Sequence, residues 1–197
     1  MRNILIVGIC GAGKSTLAQA LARQLGLRHI ELDALRHGPR WGVRASFAHD
    51  VAALTATDGW VADSTAYPEV LPGLWARADT AIWLELGRGV VLGRVLRRTA
   101  RRLLARETLW AGNRETWLGV LSRRSPAMKV LLDFRTRREQ ERRMLARFDG
   151  TVVRLRTPAE VAAYLAGVRG EGPGHGEEHG GRGHRDDTRG SDVLGGR

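Results

Sequence analysis

Residues 8–16 read Gly-Ile-Cys-Gly-Ala-Gly-Lys-Ser-Thr and follow the apolar run Ile4-Leu5-Ile6-Val7. Gly8, Gly13, Lys14 and Ser15 fall on every fixed position of the pattern G-x-x-x-x-G-K-[ST]. Glycines let the backbone curl so that successive N–H groups point inward at phosphate oxygens, and a helix starting at the loop adds the positive end of its dipole. The Lys14 ammonium is a point charge with the reach to meet β and γ phosphates, and the Ser15 hydroxyl suits Mg²⁺. The chemistry implied is the holding of ATP or GTP. A dinucleotide pattern, G-x-G-x-x-G, fails because Thr16 stands where its third glycine belongs. Cys10 occupies a variable loop position and reads as a small filler.

Transfer of a phosphoryl group also needs a carboxylate near the metal, a place for the acceptor and positive charge for the transition state. Asp63 ends the run Gly59-Trp60-Val61-Ala62 and is the candidate metal-side carboxylate; its other reading is a turn former at a strand end. Asp33, with Glu31 two residues before it, suits an acceptor hydroxyl, and serves equally as a cap for Ala34-Leu35-Arg36-His37. The loop 36–42 carries Arg36, Arg40 and Trp41, a combination that fits an anionic or planar acceptor or packs on the core. Arg94, Arg97, Arg98, Arg101 and Arg102 recur at spacings of three and four, placing several on one helical face that can clamp phosphates.

These residues need elements to position them. Residues 3–7 are a continuous apolar run, as expected of a strand buried on both faces, and 28–32, 59–63, 80–86 and 151–156 read as four further short strands. Helical spacing follows the phosphate loop through Leu17, Ala20, Leu21 and Leu25, with Gly26 as stop. Residues 47–56 read as helix, and Pro68 and Pro72 predict a short or broken helix before residue 80. The pattern is helical from Val90 to Phe148, interrupted near 110–113 and restarted by Ser125-Pro126. Thr157-Pro158-Ala159-Glu160 has the form of a capping box and opens a last helix. Alternating strands and helices predict an α/β fold: a three-layer α/β/α sandwich around a five-stranded parallel sheet, with the site beyond the strands' carboxyl ends.

Length and charge set the outer bounds. The 197 residues suit one α/β domain, expected over 1–169, with a Gly-, His- and charge-rich tail at 170–197 expected to be disordered. His175, His179 and His184 of that tail are a weak metal-binding pattern. No apolar run approaches the roughly 20 residues of a membrane helix, the start is unlike a signal peptide, and Cys10 is the single cysteine. A cytoplasmic protein is the expectation. The net charge is +11, and residues 88–147 hold 17 Lys+Arg against 5 Asp+Glu. That block points to a phosphate-bearing partner, nucleotide or nucleic acid, or to a solvated helical face.

Together the loop, Leu32-Asp33-Ala34-Leu35 with Trp41 eight residues past Asp33, the run 59–63 followed by Tyr67, the run 78–86 and the segment 94–98 resemble the adenylate-kinase-like P-loop proteins. The chain is most similar in that class to the bacterial topology modulation proteins, over about residues 1–168. Residues 106–116 also resemble a stretch of actinobacterial members. The resemblance implies that Gly8, Cys10, Gly11, Ala12, Gly13, Lys14, Ser15 and Thr16 bind the ATP phosphates. It implies that Arg94 and Arg98 belong to a mobile, arginine-rich helical lid within 88–147, and that Arg156 to Pro158 lie beside the adenine. Two departures bear on the acceptor. Nucleoside monophosphate kinases carry an arginine after the third strand, where this chain has Ser64-Thr65-Ala66-Tyr67. Shikimate-type kinases carry D-x-D after the second, where this chain has Glu31-Leu32-Asp33. Three activities fit: a small-molecule kinase using Mg²⁺–ATP, a nucleotide-regulated nucleic-acid-associated protein, or an ATPase without a separate acceptor.

Overall fold

Ile4, Leu5, Ile6 and Val7 are wholly buried in strand β1 (Asn3–Gly8), the middle of one parallel sheet. The computed structural model describes residues 1–63, 67–105, 111 and 125–168. The predicted tail, the interruption near 110–113 (Ala111 apart) and residues 64–66 lie outside the described residues. Helix α1 (Lys14–Leu25) follows the loop, then β2 (Arg28–Ile30), α2 (Leu32–Arg36), α3 (Phe47–Leu54) and β3 (Trp60–Ala62). Next come α4 (Leu71–Arg77), β4 (Thr80–Leu84), α5 (Arg88–Leu104), α6 (Pro126–Leu145), β5 (Thr151–Leu155) and α7 (Pro158–Gly167). The strand order is β2-β3-β1-β4-β5, every pair parallel, as the predicted fold class requires.

Alternation of side chains along each strand divides the core into two layers. Leu5, Val7, Ala81 and Trp83 pack with Phe47, Val51, Leu74 and Leu145 of α3, α4 and α6. Ile4, Ile6, Ile82 and Leu84 pack on the opposite face with Leu17 and Leu21 of α1 and with Val161 and Tyr164 of α7. Both faces are therefore covered, which explains why these strands are continuous apolar runs. Fully burying each such aliphatic side chain is worth about 1.5–3 kcal/mol. A third cluster, Leu86, Val91, Val95, Val130 and Phe134, joins α5 to α6.

The amino end of the sheet is fixed by polar groups. Asn3, buried at the start of β1, donates from Nδ2 to Asp58 Oδ1 (2.8 Å) and to the Arg77 carbonyl (3.0 Å), and accepts from Gly59 N–H. Asp79 Oδ2 accepts from Arg2 and Asn3 N–H at 2.6 and 3.0 Å. The predicted caps hold: Ser125 Oγ accepts from Met128 N–H, and Thr157 Oγ1 from Glu160 N–H, both at 3.1 Å. Glu160 reaches back to Arg156 N–H (2.9 Å), one residue beyond the usual capping-box partner.

One predicted boundary is corrected. The second strand stops at Ile30, and Asp33 lies in the first turn of α2, not at a strand end. Leu32 is the reason: its side chain is wholly buried among Phe47, Val51 and Trp60, and the helical turn carries it there.

Candidate active site

The loop between β1 and α1 depends on glycine at two places. Gly11 has φ +87° and Gly13 φ +99°, a left-handed region that other residues adopt only at a cost. Gly11 also faces α5 so closely that an added Cβ would run into the Val95 side chain, with the Val91 carbonyl 3.1 Å away. Gly13 caps α1 without a side-chain bond, and no acidic residue stands in that helix's first turn. The opening amides of α1 have no preceding turn to bond to, so the donor set at this point fits an anion.

Lys14 Nζ donates to the Gly8 carbonyl at 2.8 Å and to Ile9 at 3.4 Å, across the mouth of the loop. The Ser15 side chain lies beside Asp63, which is buried immediately after β3. Leu32 N–H donates to Asp63 Oδ1 (3.3 Å), and His29 Nε2 lies 3.8 Å from Oδ2. Burial alone would raise the Asp63 pKa; the neighbouring His29 and Ser15 side chains and the Leu32 amide outweigh it and hold the carboxyl below the usual range. A hydroxyl beside an ionised carboxylate is a donor set suited to a hard divalent cation. No cluster of three or more His, Cys, Asp or Glu occurs among the described residues, so any cation here would keep most of its ligands from water and phosphate.

Helix α5 brings arginines onto the loop. Arg94 Nη1 donates to the Ala12 carbonyl at 2.8 Å, and Arg98 Nη2 lies 3.6 Å from Cys10 Sγ. Arg94, Arg97, Arg98 and Arg101 line an open pocket of about 300 Å³. Arg98 Nε is buried without a hydrogen-bond partner among the described residues. The spacing of three and four does place these guanidiniums on one face, next to the loop.

Asp33 lies apart from Ser15 and Asp63 in its bonding: Oδ1 accepts from the Tyr67 hydroxyl. Burial and then that bond push the Tyr67 phenol far above its ordinary pKa, so it remains a donor. Arg36 stacks 4.6 Å over the Tyr67 ring and pairs with Glu69 at 3.2 Å. Trp41, 42% exposed, meets His37 edge-on, and both Arg40 and Trp41 have positive φ, at 54° and 61°. Strain of that kind is retained where surroundings over-determine it and is a pointer to function.

Arg156, expected beside an adenine, has Nε 3.8 Å from Glu85 Oε2. Glu85 is buried just past β4 and also faces Arg138 (3.6 Å), Arg142 (3.7 Å) and Arg154. Burial raises its pKa, but the Arg154 bond and the Arg138 charge bring it below the usual range. Sequence reasoning read 80–86 as a strand and missed the arginines around Glu85, which come from two later elements. It also missed Glu141, which stands in the charged run Arg137-Arg-Glu-Gln-Glu-Arg-Arg143 and reads there as solvated. Trp83 Nε1 donates to Glu141 Oε2 at 2.9 Å, so this carboxylate is turned inward.

No model of a known protein family matches the sequence. A shikimate kinase from Persephonella marina is 52% identical over 33 residues, 17% of this chain; the match spans only 20% of that curated relative's length. The solved shikimate kinase from Acinetobacter baumannii, in complex with shikimate, aligns with a TM-score of 0.53 and 20% identity over 84% of this chain and 90% of that one. That of Bacteroides thetaiotaomicron aligns with a TM-score of 0.50 and 14% identity over 83% and 93%. The chain has the fold of shikimate kinase. This agrees with the five-stranded parallel α/β fold that the sequence predicted. No described helix is long and apolar enough to cross a membrane.

Proposed function

We propose that this chain is an ATP-dependent kinase of a small hydroxylated acceptor. One observation carries the reading: the phosphate loop, the Ser15–Asp63 pair and the α5 arginines Arg94 and Arg98 meet at a single point beyond β1 and β3. Bound Mg²⁺–ATP supplies the transferable phosphoryl group. Loop amides and Lys14 hold its phosphates, while Ser15 and Asp63 hold the cation and its waters. Arg94 and Arg98 present charge to the transferring group, where it stabilises the transition state more than the ground state. Asp33, oriented by Tyr67, accepts a hydrogen bond from the acceptor hydroxyl. The acceptor oxygen bonds to the terminal phosphorus, the bond from that phosphorus to the bridging oxygen breaks, and ADP leaves; the hydroxyl proton passes to Asp33 or to water. Arg156 borders the base.

The acceptor class follows from what surrounds Asp33. The absence of arginine in Ser64-Thr65-Ala66-Tyr67 speaks against a nucleoside monophosphate. The structural relatives speak for polyhydroxylated acids of the shikimate kind, with Arg36, Arg40 and Trp41 nearby. Membership of the topology modulation group rests on motif order and is part of this proposal. Nucleic-acid binding is less well supported, because Arg88, Arg94, Arg98, Arg138 and Arg142 engage groups of the protein itself.

A panel of hydroxy acids, sugars and nucleoside monophosphates, each supplied with Mg²⁺–ATP, tests the reading. One acceptor should raise ADP formation well above background, and Lys14→Ala should abolish that rise. Slow hydrolysis indifferent to every acceptor would favour an ATPase. Duplex DNA binding that weakens steeply with salt would favour the nucleic-acid reading.

A further inference from the structure

Glu141 is a carboxylate that the proposed chemistry does not use, and its position is unusual. Trp83 pairs in register with Val7, the residue before Gly8, and both side chains point to the face covered by α6. The indole N–H holds Glu141 Oε2 on the α6 side of β4, one strand across from the Val7–Gly8 junction, and the Gly8 carbonyl accepts from Lys14 Nζ. Arg154 stacks 5.0 Å over the same indole and fixes its ring plane. The charges acting on Glu141 are Lys14 from α1 and Arg138 and Arg137 from its own helix. Arg138 is already drawn to Glu85 and the Leu86 carbonyl.

We propose that Glu141 is a positioning residue for Lys14, an internal anion that competes with nucleotide phosphate for the same ammonium. One ammonium cannot satisfy both anions fully, so nucleotide binding weakens the attraction between α1 and α6. Phosphate arrival is thereby felt by the helix that follows the arginine-rich segment. The inference rests on the phosphate-loop half of the function proposed above and needs no acceptor.

The test is ADP affinity, measured by titration calorimetry on the full chain at pH 8 and at a series of lower pH values. Glu141→Gln keeps an oxygen for the Trp83 N–H and removes the charge. It should bind ADP about 3- to 10-fold more tightly than the parent at pH 8. Burial raises the Glu141 pKa, against the Trp83 bond and the Lys14 charge. Protonation as the pH falls therefore removes the competitor in the parent at a higher pH than for an ordinary glutamate, and the gap should narrow toward acid. Glu139→Gln changes the same charge on the same helix, where Glu139 pairs with Arg142 and Arg143; it should shift ADP affinity less than twofold. Unchanged or weaker binding by Glu141→Gln, or an equal gain from Glu139→Gln, overturns the proposal while leaving the kinase reading intact. No ADP binding by the parent chain overturns both.

Discussion

The Ser15 side chain lies beside the buried Asp63 carboxylate, bringing the first turn of α1 to the end of β3. The helix that follows β1 and the end of its neighbour β3 thus contribute one hydroxyl and one charge to the same spot. Asp63→Asn preserves the size and the Leu32 contact and deletes the charge. Mg²⁺-stimulated ATP turnover should fall about 100-fold, a few kcal/mol of lost cation positioning. Nucleotide binding in EDTA should change little, and comparing the two conditions is the check.

Gly11→Ala is expected to damage both stability and nucleotide binding. It places a Cβ in a left-handed backbone and against Val95. Such strain and overpacking cost about 1–3 kcal/mol each. Urea unfolding should show a lower midpoint with an unchanged slope. A compensating Val95→Ala in the same chain should recover part of the loss, because it removes the clash and leaves the strain.

Acid should weaken the fold partly through Asp79. Burial would raise its pKa, but bonds from Thr80 and from the Arg2 and Asn3 amides bring it below the ordinary carboxylate value. A lowered folded-state pKa means stability that is present above the unfolded value of about 3.9 and is lost as pH falls through the folded one. Asp79→Asn should therefore be less stable than the parent at pH 7, with the difference closing below about pH 4. Denaturant midpoints measured at a series of pH values read this directly.

Much of the fold was legible because its signals are local. The central strands β1 and β4 announce themselves as short apolar runs, and Ser125-Pro126 and Thr157-Pro158 mark helix starts through side-chain chemistry within three residues. The phosphate loop is equally local, and the α5 arginines follow from helical spacing. Asp33 was misread because Glu31-Leu32 continues an apolar-polar alternation into a helical turn; the buried pocket for Leu32, which decides the matter, is built by Phe47, Val51 and Trp60 from afar. Glu141 was invisible for a related reason. Its neighbours in sequence are charged, whereas its partner, Trp83, is 58 residues away.

Glu85 carries a consequence for how this protein can change over time. Arg138 and Arg142 reach it from α6, and Arg154 and Arg156 from β5 and its end. Replacing the carboxylate alone would strand four like charges around a buried site, and replacing any one arginine alone is far milder. These five positions should therefore drift as a block when related sequences are compared. Glutamate would persist as long as the arginines do, and where it is lost several of them should be lost with it.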